Sequence, residues 1–217
     1  MNKEDIIKEK FKQALTSTFK VISEDYKINY KNQKKVDYKD IQIGELENIN
    51  DKNQFKKLRA ETDSEALKIK FSNSKIFEKN MPKKISCQSL YKTAEKIRYE
   101  LLGAKMLKGI SKNFYDNYNN KLDSIKKEKI TKKDDVNIAE AFEIYMLNKF
   151  FKMNLNKKNI EILDFWNDDF KKSFDKHINY LNENLENQEL YNSKFSELLQ
   201  NMEIFDNENS QENKEEE

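Results

Sequence analysis

Residues Ala94–Asn113 read AEKIRYELLGAKMLKGISKN, and this stretch decides the fold. At about 100° per residue, Glu95, Arg98, Leu102, Met106, Gly109 and Asn113 fall within an arc about 80° wide. Leu90, Ala94, Ile97, Leu101 and Ala104 form a second stripe beside it. The two stripes together cover more than half the circumference, which predicts the central helix of a mainly α domain. Glu95 and Arg98, at i and i+3, can pair within the buried face. Such a pair reads first as a network that fixes helix packing and second as a catalytic pair. Gly109 would let another backbone approach closely. Gly103 projects to the polar side with Lys96 and Glu100, where a helical glycine costs about 1 kcal/mol relative to alanine. Either a partner docks there or the helix bends, and Leu107 on the same side favours docking.

The rest of the composition agrees with a helical reading. The 217 residues are 36% hydrophobic and 37% charged, enough for a substantial core and too polar for a membrane protein. One soluble domain is expected. Three glycines and one proline leave little material for tight turns or phosphate-cradling loops. The 41 basic and 39 acidic residues alternate in sign, a poor electrostatic footprint for nucleic acid. Basic clusters at Lys31–Lys35 and Lys126–Lys133 carry no interleaved aromatics and read as solvated loops. The single cysteine, Cys87, excludes an internal disulfide and a Cys-rich zinc site. No membrane span and no apolar leader are visible, so the cytoplasm is the expected location.

Along the chain, Ile7, Phe11, Ala14, Leu15 and Ile22 recur at helical spacing and predict a first helix from Lys3 to Ile22. The period then changes to two at Ile28/Tyr30, Val36/Tyr38 and Ile41/Ile43, which predicts a small β-hairpin ending at Gly44. A second helix is expected from about Asp51 to Phe71, with Pro82 in the loop after it. The third, from about Ser86 to Tyr118, contains the opening stretch. A fourth is expected to start near Thr131 and Asp134. Asn156 caps a fifth, whose stripe is Leu163, Trp166, Phe170, Phe174, His177, Ile178 and Leu181. A sixth carries Leu190, Tyr191, Phe195, Leu198, Leu199 and Met202. Residues 206–217 are acidic and lack apolar residues, so they are expected to be a disordered linker. The expected architecture is an irregular bundle of about six helices over residues 1–205 with a β-hairpin near the N-terminus.

Several chemistries lack their residues. With only Gly44, Gly103 and Gly109, neither a phosphate-binding P-loop nor a dinucleotide fingerprint can be built, so ATP hydrolysis by this chain is not expected. The only histidine, His177, lies on an apolar stripe and reads as a core residue before a ligand or base. A Cys87/His177 pair has nothing to support it beyond the presence of both. A carboxylate metal site using Glu95, Glu100 and Asp63 is the least favoured reading.

The spacing Glu95, Arg98, Glu100, Gly103, Gly109, Ile110, Asn113 resembles the E-x-x-R-x-E-x-x-G…G-[VI]-x-x-N signature of the N-terminal region of the CobT subunit family of aerobic cobaltochelatase. Three further blocks fall in the same order along the chain as in that family. Phe11–Ser23, FKQALTSTFKVIS, resembles the family's opening helix. Arg59–Ile69, RAETDSEALKI, resembles its R-G-x-x-D-S-x-A-L segment through Arg59, Asp63, Ser64, Ala66 and Leu67. Leu163–Phe170, LDFWNDDF, matches a Leu-Trp helix, and the acidic tail matches the start of an acidic linker.

The resemblance implies a non-catalytic part of the ATP-dependent complex that inserts Co²⁺ into hydrogenobyrinic acid a,c-diamide. It implies a CobS-type AAA+ ATPase and a CobN-type large subunit as partners in a hetero-oligomer, with neither nucleic acid nor membrane. ATP, Mg²⁺ and Co²⁺ are then used by the complex, and this chain is expected to bind no cofactor or metal. Glu95, Arg98, Glu100, Gly103, Gly109, Asn113, Arg59, Asp63 and Ser64 are its structural motif residues, and Gly103 and Leu107 its candidates for partner binding. No D-x-S-x-S metal motif of the family's von Willebrand A domain occurs here, and the chain is expected to be the N-terminal domain alone. Ala60 and Ser72 depart from the family's glycine and histidine. The alternative is a helical adaptor for another AAA+/von Willebrand A pair unrelated to cobalt.

Overall fold

The computed structural model describes residues 2–29, 44–125 and 132–208. Its α-helices are α1 (Lys3–Asn29), α2 (Lys52–Phe71), α3 (Ser74–Lys79), α4 (Ile85–Met106), α5 (Lys108–Ser124), α6 (Ile138–Lys149), α7 (Lys157–Asp164), α8 (Asn167–Phe174), α9 (Ile178–Glu183) and α10 (Gln188–Gln200). Short 3-10 turns occupy Lys133–Asp135, Asp175–His177 and Glu203–Glu208. Within the expected helical domain the chain divides into two compact units, one from residues 1–72 and 99–121 and the other from residues 73–98 and 122–217. Both α4 and α5 contribute to each.

The first unit packs α1 and α2 with the C-terminal part of α4 and most of α5. Asp51 caps α2, its Oδ1 accepting from the Asn53 and Gln54 amides at 2.9 and 3.1 Å. From α1, Phe11, Leu15, Phe19 and Ile22 turn inward, with Ala14 exposed and Phe19 in the stripe. Phe11 meets Phe55 with ring centroids 4.5 Å apart, and the Arg59 guanidinium lies 5.9 Å from the Phe11 centroid. Leu58, Ala60, Ala66 and Leu67 of α2, Tyr99, Leu101 and Leu102 of α4, and Ile110, Phe114 and Tyr118 of α5 are buried with them.

The second unit is built on aromatic packing. Phe142 and Tyr145 of α6 meet Phe170 at 5.5 and 5.4 Å and Phe174 at 5.6 and 6.0 Å, and Phe195 of α10 lies 5.6 Å from Phe174. Asn137 caps α6, and Asn156 caps α7 through a reciprocal capping box with Asn159.

Helix number and the hairpin need correction. Among the described residues there is no strand: Ile28, expected to open the hairpin, lies inside α1, and residues 30–43 lie outside the described residues. The third predicted helix is two, α4 and α5, separated at Leu107, and Gly103 and Gly109 on either side lower helix propensity. The fifth is three. Its apolar residues are buried as expected except Trp166 and His177, which are partly exposed, but the chain breaks before Asn167 and again at Asp175. Asp168 and Asp169 suit the first turn of a new helix, and Asp175 accepts from Tyr145 Oη at 2.7 Å and pairs with Lys149 at 2.8 Å. The fourth helix starts at Ile138, Asp134 lies in a 3-10 turn, and Thr131 is outside the described residues. Residues 206–208 belong to the last 3-10 turn, and residues 209–217 lie outside the described residues.

Candidate functional site

Two buried polar networks gather the motif residues, one in each unit. In the second unit, α4 places Glu95 and Arg98 one turn apart and almost wholly buried, 3% and 1% exposed. The guanidinium grips the carboxylate in a fork, Arg98 Nε to Glu95 Oε2 and Arg98 Nη2 to Glu95 Oε1, both at 2.8 Å. Its Nη1 donates to the Leu185 carbonyl at 2.8 Å. Gln188, at the start of α10, donates from Nε2 to Glu95 Oε1 at 3.0 Å and accepts on Oε1 from the Asn73 amide at 2.7 Å. Tyr191, one turn of α10 further on, donates its hydroxyl to the Ala94 carbonyl at 3.1 Å. Burial, with the Glu95 charge beside it, holds that phenol well above its usual range, so it is a hydrogen-bond donor and not a proton carrier. The network joins α4, α10 and the cap of α3. It offers no open carboxylate edge to a substrate.

In the first unit, α2 presents Asp63 and Ser64 to residues of α4 and α5. Ser64 Oγ donates to Glu100 Oε1 at 2.6 Å, and Tyr118 Oη donates to Glu100 Oε2. Asn113 Nδ2 donates to Asp63 Oδ2 at 2.7 Å. Burial raises the Asp63 carboxyl above its usual value, opposed by the Asn113 hydrogen bond and the positive charge of Arg59. An alanine-sized Cβ on Gly103 would stand 2.3 Å from Leu67 Cδ1, so α4 and α2 approach as closely as the missing side chain allows.

These contacts bring two motif blocks of the sequence together, Arg59–Ser64 with Glu100–Asn113. They also correct the helical-wheel reading. Glu100, assigned to the polar side, is 2% exposed, and Gly103 is buried with it. The space beside Gly103 is filled by Leu67 of the same unit, so its place on an open docking surface does not hold. Leu107 is exposed, and so is Gly109, whose added Cβ would meet nothing within 4 Å. Sequence reasoning missed Gln188 and Tyr118, and it had Leu67 only as part of a motif block, not as the neighbour of Gly103. Gln188 alone carried a signal, a polar residue just after a helix cap at Asn187, on the side that α10 buries.

The two remaining candidates, His177 and Cys87, have separate surroundings. His177 is partly exposed, not a core residue, and lines a cleft of about 310 Å³ with Ser173, Lys176, Glu197 and Met202. Burial, Lys194 and Lys176 lower its pKa. Cys87 is buried with its thiol 3.5 Å from the Leu199 carbonyl and does not line that cleft. Among the described residues no group of three or more His, Cys, Asp or Glu side chains is arranged to hold a metal ion, so Glu95, Glu100 and Asp63 form no such site. Nor is any described helix long and apolar enough to cross a membrane.

Comparison with known proteins returns one family. The model of the cobalamin biosynthesis protein CobT matches residues 7–217. No curated protein and no solved structure gives a match.

Proposed function

Because the chain belongs to the CobT family, whose role lies in cobalamin biosynthesis, we propose that it is a non-catalytic domain of the ATP-dependent cobaltochelatase. In this reading it couples a CobS-type AAA+ ATPase to a CobN-type corrinoid-binding subunit while Co²⁺ enters hydrogenobyrinic acid a,c-diamide. Cobalt is the substrate of the complex, and ATP and Mg²⁺ belong to the motor subunit. The observation that carries the proposal is the state of the motif's charged groups. Glu95, Arg98 and Glu100 are buried and engaged with side chains and backbone of the chain itself. Groups so held organise helices; they do not present nucleophiles, bases or ligands to a substrate.

Size-exclusion chromatography of the chain with a CobS-type subunit, with and without Mg-ATP, tests the reading. Co-elution is the expected result. Separate peaks in both conditions would favour an adaptor for a different AAA+/von Willebrand A pair.

A further inference from the structure

The two glycines of the opening stretch have opposite surroundings, and the contrast points outward. Gly103 is accounted for inside the chain, because Leu67 occupies the place of its side chain. Gly109 is exposed, with open space where a Cβ would be. Hydrogen bonds of the i to i−4 type run through the break between α4 and α5, Leu107 N–H to Gly103 O at 3.0 Å and Ser111 N–H to Leu107 O at 3.1 Å. The helical rotation therefore carries on across Leu107. It places Lys105, Lys108, Lys112 and Gly109 in an arc about 100° wide. All three lysines are exposed, and none has an ion-pair partner among the described residues. Asp116, the acid that continues this face, is 3.7 Å from Lys56. Met106, 38% exposed, borders the glycine.

We propose that this face, Lys105, Lys108 and Lys112 around Gly109, docks an acidic segment of the motor subunit. The proposal rests on the reading of the chain as a cobaltochelatase subunit and specifies the surface and the chemistry of its partner. Carboxylates of the segment meet the three ammonium groups. Its backbone approaches the helix where Gly109 has no side chain, and an apolar residue covers Met106. Charge complementarity selects an acidic partner, since Asp116, the acid that continues the face, is engaged by Lys56 and not by these three lysines.

The test is a titration of the CobS-type subunit onto the wild-type chain and three variants at about 50 mM and about 300 mM salt. The triple variant K105E/K108E/K112E is expected to weaken binding at least about 100-fold at low salt and by a smaller factor at high salt. Gly109→Leu, which adds bulk and no charge, is expected to weaken it about tenfold. The control K171E/K172E/K176E changes net charge equally in the other unit and is expected to leave affinity within about twofold. Circular dichroism establishes that each variant is folded, and because all three lysines and Gly109 are exposed no loss of helix is expected. Wild-type binding with an unchanged triple variant, or with an equal loss in the control, overturns this surface and leaves the chelatase reading standing. No binding by the wild-type chain overturns both.

Discussion

Gly103 and Leu67 are in mutual contact so close that the glycine has no room for a methyl group, 2.3 Å separating its ideal Cβ position from Leu67 Cδ1. Leu67 is fully buried and cannot swing away without disturbing the unit's core. Gly103→Ala is therefore expected to destabilise the protein by about 1–3 kcal/mol, against the gain of about 1 kcal/mol that alanine brings to an open helix site. With Leu67→Ala in the background, the same change should cost less. Urea unfolding of the two single variants and the double variant measures the coupling, and strict additivity would show that the two residues do not clash.

Arg98→Ala removes the fork from Glu95 and the donor from the Leu185 carbonyl. A carboxylate that loses its buried cation destabilises a fold by about 3–5 kcal/mol. The double variant Glu95→Gln with Arg98→Met removes both charges and keeps similar volume, so it is expected to be more stable than Arg98→Ala alone. Equal midpoints for Arg98→Ala and wild type would mean that the pair is solvated in solution.

Asp63 carries a pH signature. Its folded pKa is raised above the usual value of 3.8 by burial. Between those two values the folded chain holds a proton that the unfolded chain has released, so this group's contribution to stability falls as pH rises through the window. Asp63→Asn keeps an acceptor for Asn113 and removes the charge. It is expected to be more stable than wild type at pH near 7, with the difference shrinking as pH falls toward the unfolded value. A constant difference across that range would count against a raised carboxyl pKa.

Lys152, after α6, has a positive φ of 55° and an exposed side chain. Left-handed backbone costs an L-residue about 1–2 kcal/mol, part of which glycine recovers at some cost in chain entropy. Lys152→Gly is expected to raise the unfolding free energy by about 0.5–1 kcal/mol. A lower melting temperature would contradict it.

The helical class and most buried positions were legible in the sequence because burial leaves a periodic record. Phe170, Phe174, Ile178 and Leu181 keep a helical phase and are buried. Their division among α8, a 3-10 turn and α9 was not legible, since a break that preserves phase leaves the hydrophobic pattern unchanged. The break at Leu107 was legible only as an alternative raised by Gly103. A longer α1 was hidden by residues whose alternation at Ile28 looks like a strand, while the described helix continues to Asn29.

The Glu95–Arg98 pair illustrates what sequence alone could determine, because both groups lie on one helix and their separation follows from helical geometry. Family membership was likewise carried by ordered residue spacings. Only the tertiary structure decided the environments of Glu100 and Gly103. On a helical wheel both face the polar side, and nothing in the neighbouring residues says otherwise. They are buried because α2, more than thirty residues earlier, brings Ser64 to Glu100 and Leu67 to Gly103. Burial at those positions is set by a contact distant in sequence, which local periodicity does not encode.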